Sequence, residues 1–93
     1  MKQYRNRAYL NYVKQLPSVI SKRPGDDAHH LVGHGYSGMA IKASDLWVFP
    51  LTRDEHTDLH NIGYKAWEEK YGSQWKFIVL TITQALADGV IKL

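Results

Sequence analysis

All five histidines of this 93-residue chain lie between positions 29 and 60. His29 and His30 are adjacent, His34 follows shortly after them, and His56 and His60 are four residues apart. A neutral imidazole is a good metal ligand, and because its ordinary pKa is about 6.5 it can also accept a proton at neutral pH. The clustering therefore predicts metal binding, proton transfer or both.

The first pair of histidines is expected on a strand. The short apolar stretch from Ala28 to Val32 predicts extended backbone, in which neighbouring side chains point to opposite faces. One of His29 and His30 can therefore hold an ion while the other approaches from a different direction.

The second pair is expected on a helix that begins at about Arg53. Thr52 and Glu55 fit the capping-box pattern, in which each side chain bonds the backbone of the other at a helix start. His56 and His60 then share one helical face at the i, i+4 spacing with which a helix chelates a single metal.

The remaining pattern predicts an α+β fold with the order helix, strand, loop, strand, helix, helix, helix. A first helix is expected over residues 4–16, ended by Pro17, and a glycine-rich loop follows the first strand. A second strand is expected over 46–49, directly after Asp45 and ended by Pro50, whose missing N–H would interrupt the ladder. The other predicted features are an interruption at 61–63, a helix over 64–71, and a last helix from near Ser73 with a buried stripe of Trp75, Ile78, Val79, Ile82, Ala85 and Leu86.

Composition limits the function classes. There is no cysteine, which excludes disulfides and thiolate zinc sites and leaves histidine and carboxylate as ligands. The net charge of +3 is compatible with a nucleic-acid partner, and the first quarter of the chain is basic, with no acid before Asp26. A phosphate-contacting segment and a solvated helix face both fit that pattern.

The length predicts one domain covering residues 1–93. No apolar run approaches the roughly 20 residues that span a bilayer, and the N-terminal segment does not have the form of a signal peptide. These observations predict no membrane contact and a cytoplasmic location.

The segment DAHHLVGHGYSGMAIKASDLWVFPLTRDEHTDLH, residues 27–60, carries a specific resemblance. It resembles the HNH (ββα-metal) endonucleases, and among them the nuclease domain of the RecA-dependent phage nuclease Ref and related prophage proteins. The shared features are the HH pair, the GHG-x-x-GM segment, the K-A-x-D turn, the PL-x-R helix start and the helical histidine pair. The chain carries Ser18, Ser21 and Thr52 where relatives of this type often carry cysteines.

The resemblance implies a metal-dependent DNA endonuclease of a phage or prophage in a bacterial host. It implies His30 as general base, His29, His56 and His60 as ligands of one divalent ion, and Asp45 as the group that orients His30. The ion could be zinc, magnesium, manganese or nickel. DNA is the implied partner, with a recombinase such as RecA as a second one by resemblance alone, and a dimer would supply the two sites needed to cut both strands.

Several assignments have alternatives. Asp45 could instead cap a turn, and His34 could be structural, a phosphate contact or an additional ligand. The candidate nucleic-acid contacts are Lys42, Arg53, Arg5 and Arg7. At the level of the whole protein, the rivals are a non-catalytic DNA-binding or recombination accessory module in which the ion only stabilises the fold, and a protein-interaction domain.

Overall fold

The sheet is formed by two antiparallel strands, β1 (Asp27–His30) and β2 (Val48–Leu51). In the computed structural model, which describes residues 3–35 and 42–92, they are accompanied by helices α1 (Arg7–Lys14), α2 (Arg53–Ile62), α3 (Tyr64–Tyr71) and α4 (Gln74–Ala87). The α+β class and the predicted order of elements are confirmed.

The pairing of the two strands sets the direction of the histidines. His29 lies opposite Phe49 and His30 lies opposite Val48, so the two histidines point to opposite faces as predicted. The prediction that Pro50 ends the second strand is wrong, because Pro50 lies inside β2. The Pro50 carbonyl oxygen accepts from the Val19 N–H at 3.1 Å, so the backbone polar groups of Pro50 face away from β1. The missing N–H therefore removes no hydrogen bond between the two strands.

Helix α1 is shorter than the predicted 4–16. Asn6 is in extended conformation and caps the helix, its Oδ1 accepting from the Tyr9 N–H at 3.0 Å. The segment before it is held by Asp45: the Asp45 N–H donates to the Tyr4 carbonyl at 2.9 Å, and the Asn6 N–H donates to Asp45 Oδ2 at 2.7 Å. The first of these bonds occupies the Tyr4 carbonyl, which in a helix beginning at Tyr4 would accept from the Ala8 N–H.

Helix α2 begins with the predicted capping box of Thr52 and Glu55. Glu55 Oε1 also accepts from the Ser18 hydroxyl at 2.5 Å, and the Ser21 N–H donates to that hydroxyl at 3.3 Å. The positions at which cysteines were expected in relatives are therefore joined by a hydrogen-bonded group centred on Glu55. The predicted break after α2 is also present, because Gly63 adopts φ 87.

Apolar side chains of β2 and the helices form the core on both sides of the sheet. Phe49, Trp67 and Phe77 pack together with ring centroids 5.8–5.9 Å apart, and Tyr9, Val13 and Ala85 pack around Val48 on the other side. The predicted stripe of α4 was wrong at Val79, which is 59% exposed. The buried face of the helix instead consists of Gln74, Phe77, Ile78, Thr81 and Ala85. Val79 lies outside this face and is directed toward solvent.

In the part of the chain that the structure describes, each helix is too short or too polar to cross a membrane. Ser37 and Gly38 of the predicted loop lie outside the described residues, as do Lys2 of the basic segment and the methionine of the GHG-x-x-GM motif.

Candidate metal centre and adjoining basic groove

Three histidines converge between β1 and α2. The ring centroid of His29 lies 4.8 Å from that of His56 and 5.5 Å from that of His60, and the centroids of His56 and His60 are 4.9 Å apart. One nitrogen from each ring lies within 4.8 Å of the others. Strand alternation turns His29 toward α2, and the i, i+4 spacing brings the two helical rings to the same side. The three residues predicted as ligands are therefore adjacent.

His29 is the buried member of this histidine cluster. It is 1% exposed, and among the described residues neither ring nitrogen makes a hydrogen bond of normal length and angle, although the Gln74 side chain lies near enough to interact with the ring. Buried polar atoms are normally paired, so an orphaned imidazole at the centre of a histidine group fits a metal ligand. Two nitrogens on one tetrahedral zinc ion are about 3.4 Å apart for bonds of about 2.1 Å, and the three nitrogens here lie within 4.8 Å of one another.

The electrostatics of the cluster favour neutral rings. Burial, with smaller contributions from the neighbouring His56 and His60, lowers the pKa of His29 to about 3 against a small opposing effect of the Gln74 side chain. Burial and His56 also lower the pKa of His60. Neutral imidazole is the form that binds metals, so at neutral pH no proton has to be displaced from His29.

We expect the metal-free protein to lose stability as the pH falls below about 6.5. The unfolded chain binds a proton at His29 below that value, whereas the folded protein, with its pKa of about 3, does not. The free energy of unfolding should drop by roughly 1.4 kcal/mol per pH unit, or about 2 kcal/mol between pH 6.5 and pH 5. Guanidinium unfolding at a series of pH values, with EDTA present, measures this dependence. His29→Gln should make the free energy of unfolding depend less on pH, and a wild type equally stable at pH 6.5 and pH 5 would contradict the prediction.

Asp27 is a functional candidate that sequence reasoning missed. Its Oδ2 accepts from His56 Nδ1 at 2.9 Å, and its two oxygens accept from Arg53 Nε and Nη2 at 2.8 and 2.9 Å. The hydrogen bond from Arg53 holds the pKa of this carboxyl below its usual range, and the hydrogen bond from His56 lowers it as well. Together they outweigh burial, which acts to raise the pKa. The available signal was its position two residues before His29, on the same face of β1.

His30 occupies the opposite face of β1 and contacts the predicted carboxylate. Its Nε2 lies 2.7 Å from Asp45 Oδ1. Asp45 is buried, which alone would raise its pKa, but hydrogen bonds from His30, the Asn6 N–H and Arg5 hold the pKa below its usual range. An ionised Asp45 accepts a hydrogen bond from Nε2–H, so the neutral ring has its lone pair on Nδ1.

A groove with several cationic residues surrounds His30. It has a volume of about 720 Å³ and is lined by Arg5, Arg7, Leu10, Lys14, His30, Lys42 and Asp45. Lys14 also lines a second groove, together with His56, His60, Asp27 and Arg53. The base candidate and the histidine cluster therefore face neighbouring grooves that share Lys14, a residue not among the predicted contacts.

The other candidate contacts have different surroundings. Arg5 donates to the Ala43 and Lys42 carbonyls at 2.6 and 2.8 Å and pairs with Asp45 at 3.1 Å, and Arg53 is paired with Asp27. Both arginines therefore hold protein groups in place, whereas Lys42 and Arg7 are exposed along the groove.

His34 lies apart from the histidine cluster. Its Nε2 lies 3.0 and 3.1 Å from the two carboxylate oxygens of Glu68, and its ring centroid is 5.3 Å from that of Tyr64. These contacts tie the loop after β1 to α3. Of the alternatives for this residue, the geometry favours the structural one.

Two comparisons with known proteins place the chain. Residues 1–89 match the model of the family described as "Protein of unknown function (DUF968)". The chain is 48% identical over 83 residues to "Uncharacterized protein YdfU" of Escherichia coli (strain K12), an alignment that covers 89% of this chain and 24% of the relative. It thus spans about a quarter of that relative's length, and no solved structure matches it. Because the family match extends over nearly all of its residues, the chain belongs to the DUF968 family.

Proposed function

We propose that this chain is a metal-dependent DNA endonuclease of the HNH type, in which β1, β2 and α2 form the ββα-metal core. One observation carries the proposal: the nitrogens of His29, His56 and His60 lie within 4.8 Å of one another on one face of β1, while His30 on the other face bonds Asp45 beside a basic groove. Three protein ligands leave an open position, as in catalytic metal sites.

His30 is the general base of the proposed reaction. With Nε2–H donated to Asp45, Nδ1 takes a proton from the attacking water, and the oxygen of that water then bonds to phosphorus while the bond to the leaving oxygen breaks. The ionised Asp45 stabilises the imidazolium that forms. Arg5 holds the segment that carries Asp45 through two backbone carbonyls and its ion pair.

The proposed metal site lies on the opposite side of β1 from the base. A divalent ion held by His29, His56 and His60 would act as a Lewis acid toward the scissile phosphate and the leaving oxygen. Imidazole donors suit zinc and nickel better than magnesium or manganese. Lys14, at the junction of the two grooves, and Lys42 and Arg7 along the groove are available to neutralise neighbouring phosphates.

DNA is the partner that this proposal requires, and the bacterial cytoplasm is the compartment that it implies. A phage or prophage role in DNA recombination, with a RecA-type recombinase as second partner, rests on the resemblance of residues 27–60. The chain spans about a quarter of its Escherichia coli relative, so the activity of a longer protein of this family is also a proposal.

A second candidate is a non-catalytic DNA-binding module in which the ion only joins β1 to α2. The observation that favours it is the burial of His29, which is 1% exposed and therefore placed like a structural residue. In this case the ion would stabilise the fold and the groove would bind DNA without cleavage.

The test is nicking of supercoiled plasmid by the purified protein in a series of Mg²⁺, Mn²⁺, Ni²⁺ and Zn²⁺, with EDTA as control. We expect open-circular product with at least one of these ions and none with EDTA. Salt-dependent DNA binding without cleavage under any of the ions would favour the binding module over the nuclease. Absence of both cleavage and binding would exclude a DNA substrate.

A further inference from the structure

We propose that Asp27 is a positioning residue that commits Nδ1 of His56 to a hydrogen bond, so that His56 can bind a metal only through Nε2. The inference rests on the proposed metal site and adds to it a residue and a ligand atom. Its basis is the 2.9 Å contact between Asp27 Oδ2 and His56 Nδ1.

The contact determines the tautomer of His56. A carboxylate oxygen can only accept, so the nitrogen that faces it carries the hydrogen and the other nitrogen keeps its lone pair. Metal-ligating histidines commonly donate their second ring nitrogen to a carboxylate in this way, which fixes the ring and makes the ligand more basic. Asp27 fixes the ring of His56 in this way, whereas His29 has no carboxylate partner among the described residues.

Asp27 is itself held in place. Arg53 binds both carboxylate oxygens of Asp27. The Asp27 side chain is only 15% exposed, whereas that of Arg53 is 73% exposed. A bidentate arginine pair fixes the plane of a carboxylate, so the Asp27 oxygen that faces His56 is held in position as an acceptor. Asp27 and Arg53 therefore orient His56 from outside the ligand set.

A purely structural role for Asp27 makes a different prediction. If the carboxylate only ties β1 to the start of α2 through Arg53, breaking that ion pair would matter as much as removing the contact with His56. Asp26 provides a matched control, because its Oδ2 accepts from the Arg53 N–H at 3.0 Å and it touches the same helix start without contacting His56.

The experiment measures zinc affinity by calorimetry for the metal-free wild type, Asp27→Asn, Asp26→Asn and Arg53→Gln. We expect Asp27→Asn to bind zinc about 10–100-fold more weakly than wild type. Asp26→Asn should bind like wild type, and Arg53→Gln should lose much less affinity than Asp27→Asn. Circular dichroism of each metal-free variant establishes that it is folded.

Nuclear magnetic resonance of imidazole ¹⁵N in the zinc-loaded wild type tests the ligand atom without any variant. We expect His56 to show a protonated Nδ1 and a zinc-bound Nε2, and binding through Nδ1 would overturn the inference. Equal zinc affinity for wild type and Asp27→Asn would also overturn it while leaving the metal site intact. A wild type that binds no zinc, nickel or manganese would overturn the proposed function together with this inference.

Discussion

His30→Ala should reduce plasmid nicking by about 10²–10⁴-fold, the usual contribution of a general base. Zinc binding should persist in this variant, because His30 points to the opposite face of β1 from the histidine cluster. The loss of stability should also be modest, since His30 lies at the groove and Asp45, its side-chain partner, keeps its bonds to Arg5 and the Asn6 N–H. The measurements are initial nicking rates and zinc titration of the same preparation.

His34→Ala is the matched control for the base. It removes another imidazole that also bonds a carboxylate, yet neither His34 nor its partner Glu68 on α3 belongs to the histidine cluster. This variant should retain most of the nicking activity. If purified His30→Ala cleaves as fast as His34→Ala, His30 is not the base and the mechanism proposed for this face of β1 is wrong.

Zinc should raise the melting temperature of the wild type by roughly 10–20 °C when its free concentration is about 100 times the dissociation constant. Ligand binding of this strength stabilises the folded state by about 2.7 kcal/mol. For a domain of this size each kcal/mol corresponds to roughly 4–8 °C. The cluster joins a strand to a helix, so unfolding would separate its ligands and release the ion.

The same experiment with histidine variants identifies the ligands. His60→Ala should abolish most of the zinc-induced shift while changing the metal-free melting temperature little, because His60 is exposed. His34→Ala should keep the shift of the wild type. An equal shift in wild type and His60→Ala would show that zinc binds elsewhere and would remove the basis for the metal centre.

The separation of His29 from His30 and the pairing of His56 with His60 followed from local rules of geometry, whereas the approach of His29 to the helical pair depended on how α2 packs on the sheet. Strand alternation separates His29 from His30, and a helix that begins after Thr52 places His56 and His60 on one face. Each of these relations involves residues at most four positions apart, where backbone geometry alone decides direction. The position of a proline within β2 could not be read in this way, because it depends on which edge of the strand faces β1.

Which polar side chain each histidine and carboxylate bonds was decided by contacts between distant parts of the chain. His56 meets Asp27 across 29 positions, His34 meets Glu68 across 34, and Asp45 meets Arg5 across 40. Such contacts depend on how α1, α2 and α3 pack on the sheet, and several side chains of similar charge and reach could have made each of them. Sequence patterns do not distinguish those candidates.

By itself, then, the sequence determined the element order, the capped start of α2 and the histidines that share a face. The tertiary structure decided that His29 is buried with no normal hydrogen bond to any described residue, that Arg5 and Arg53 hold carboxylates, and that the two grooves meet at Lys14. The physical reason is range: hydrogen bonding within a helix or strand is set by neighbouring residues, whereas burial and ion pairing are set by the packing of the whole chain.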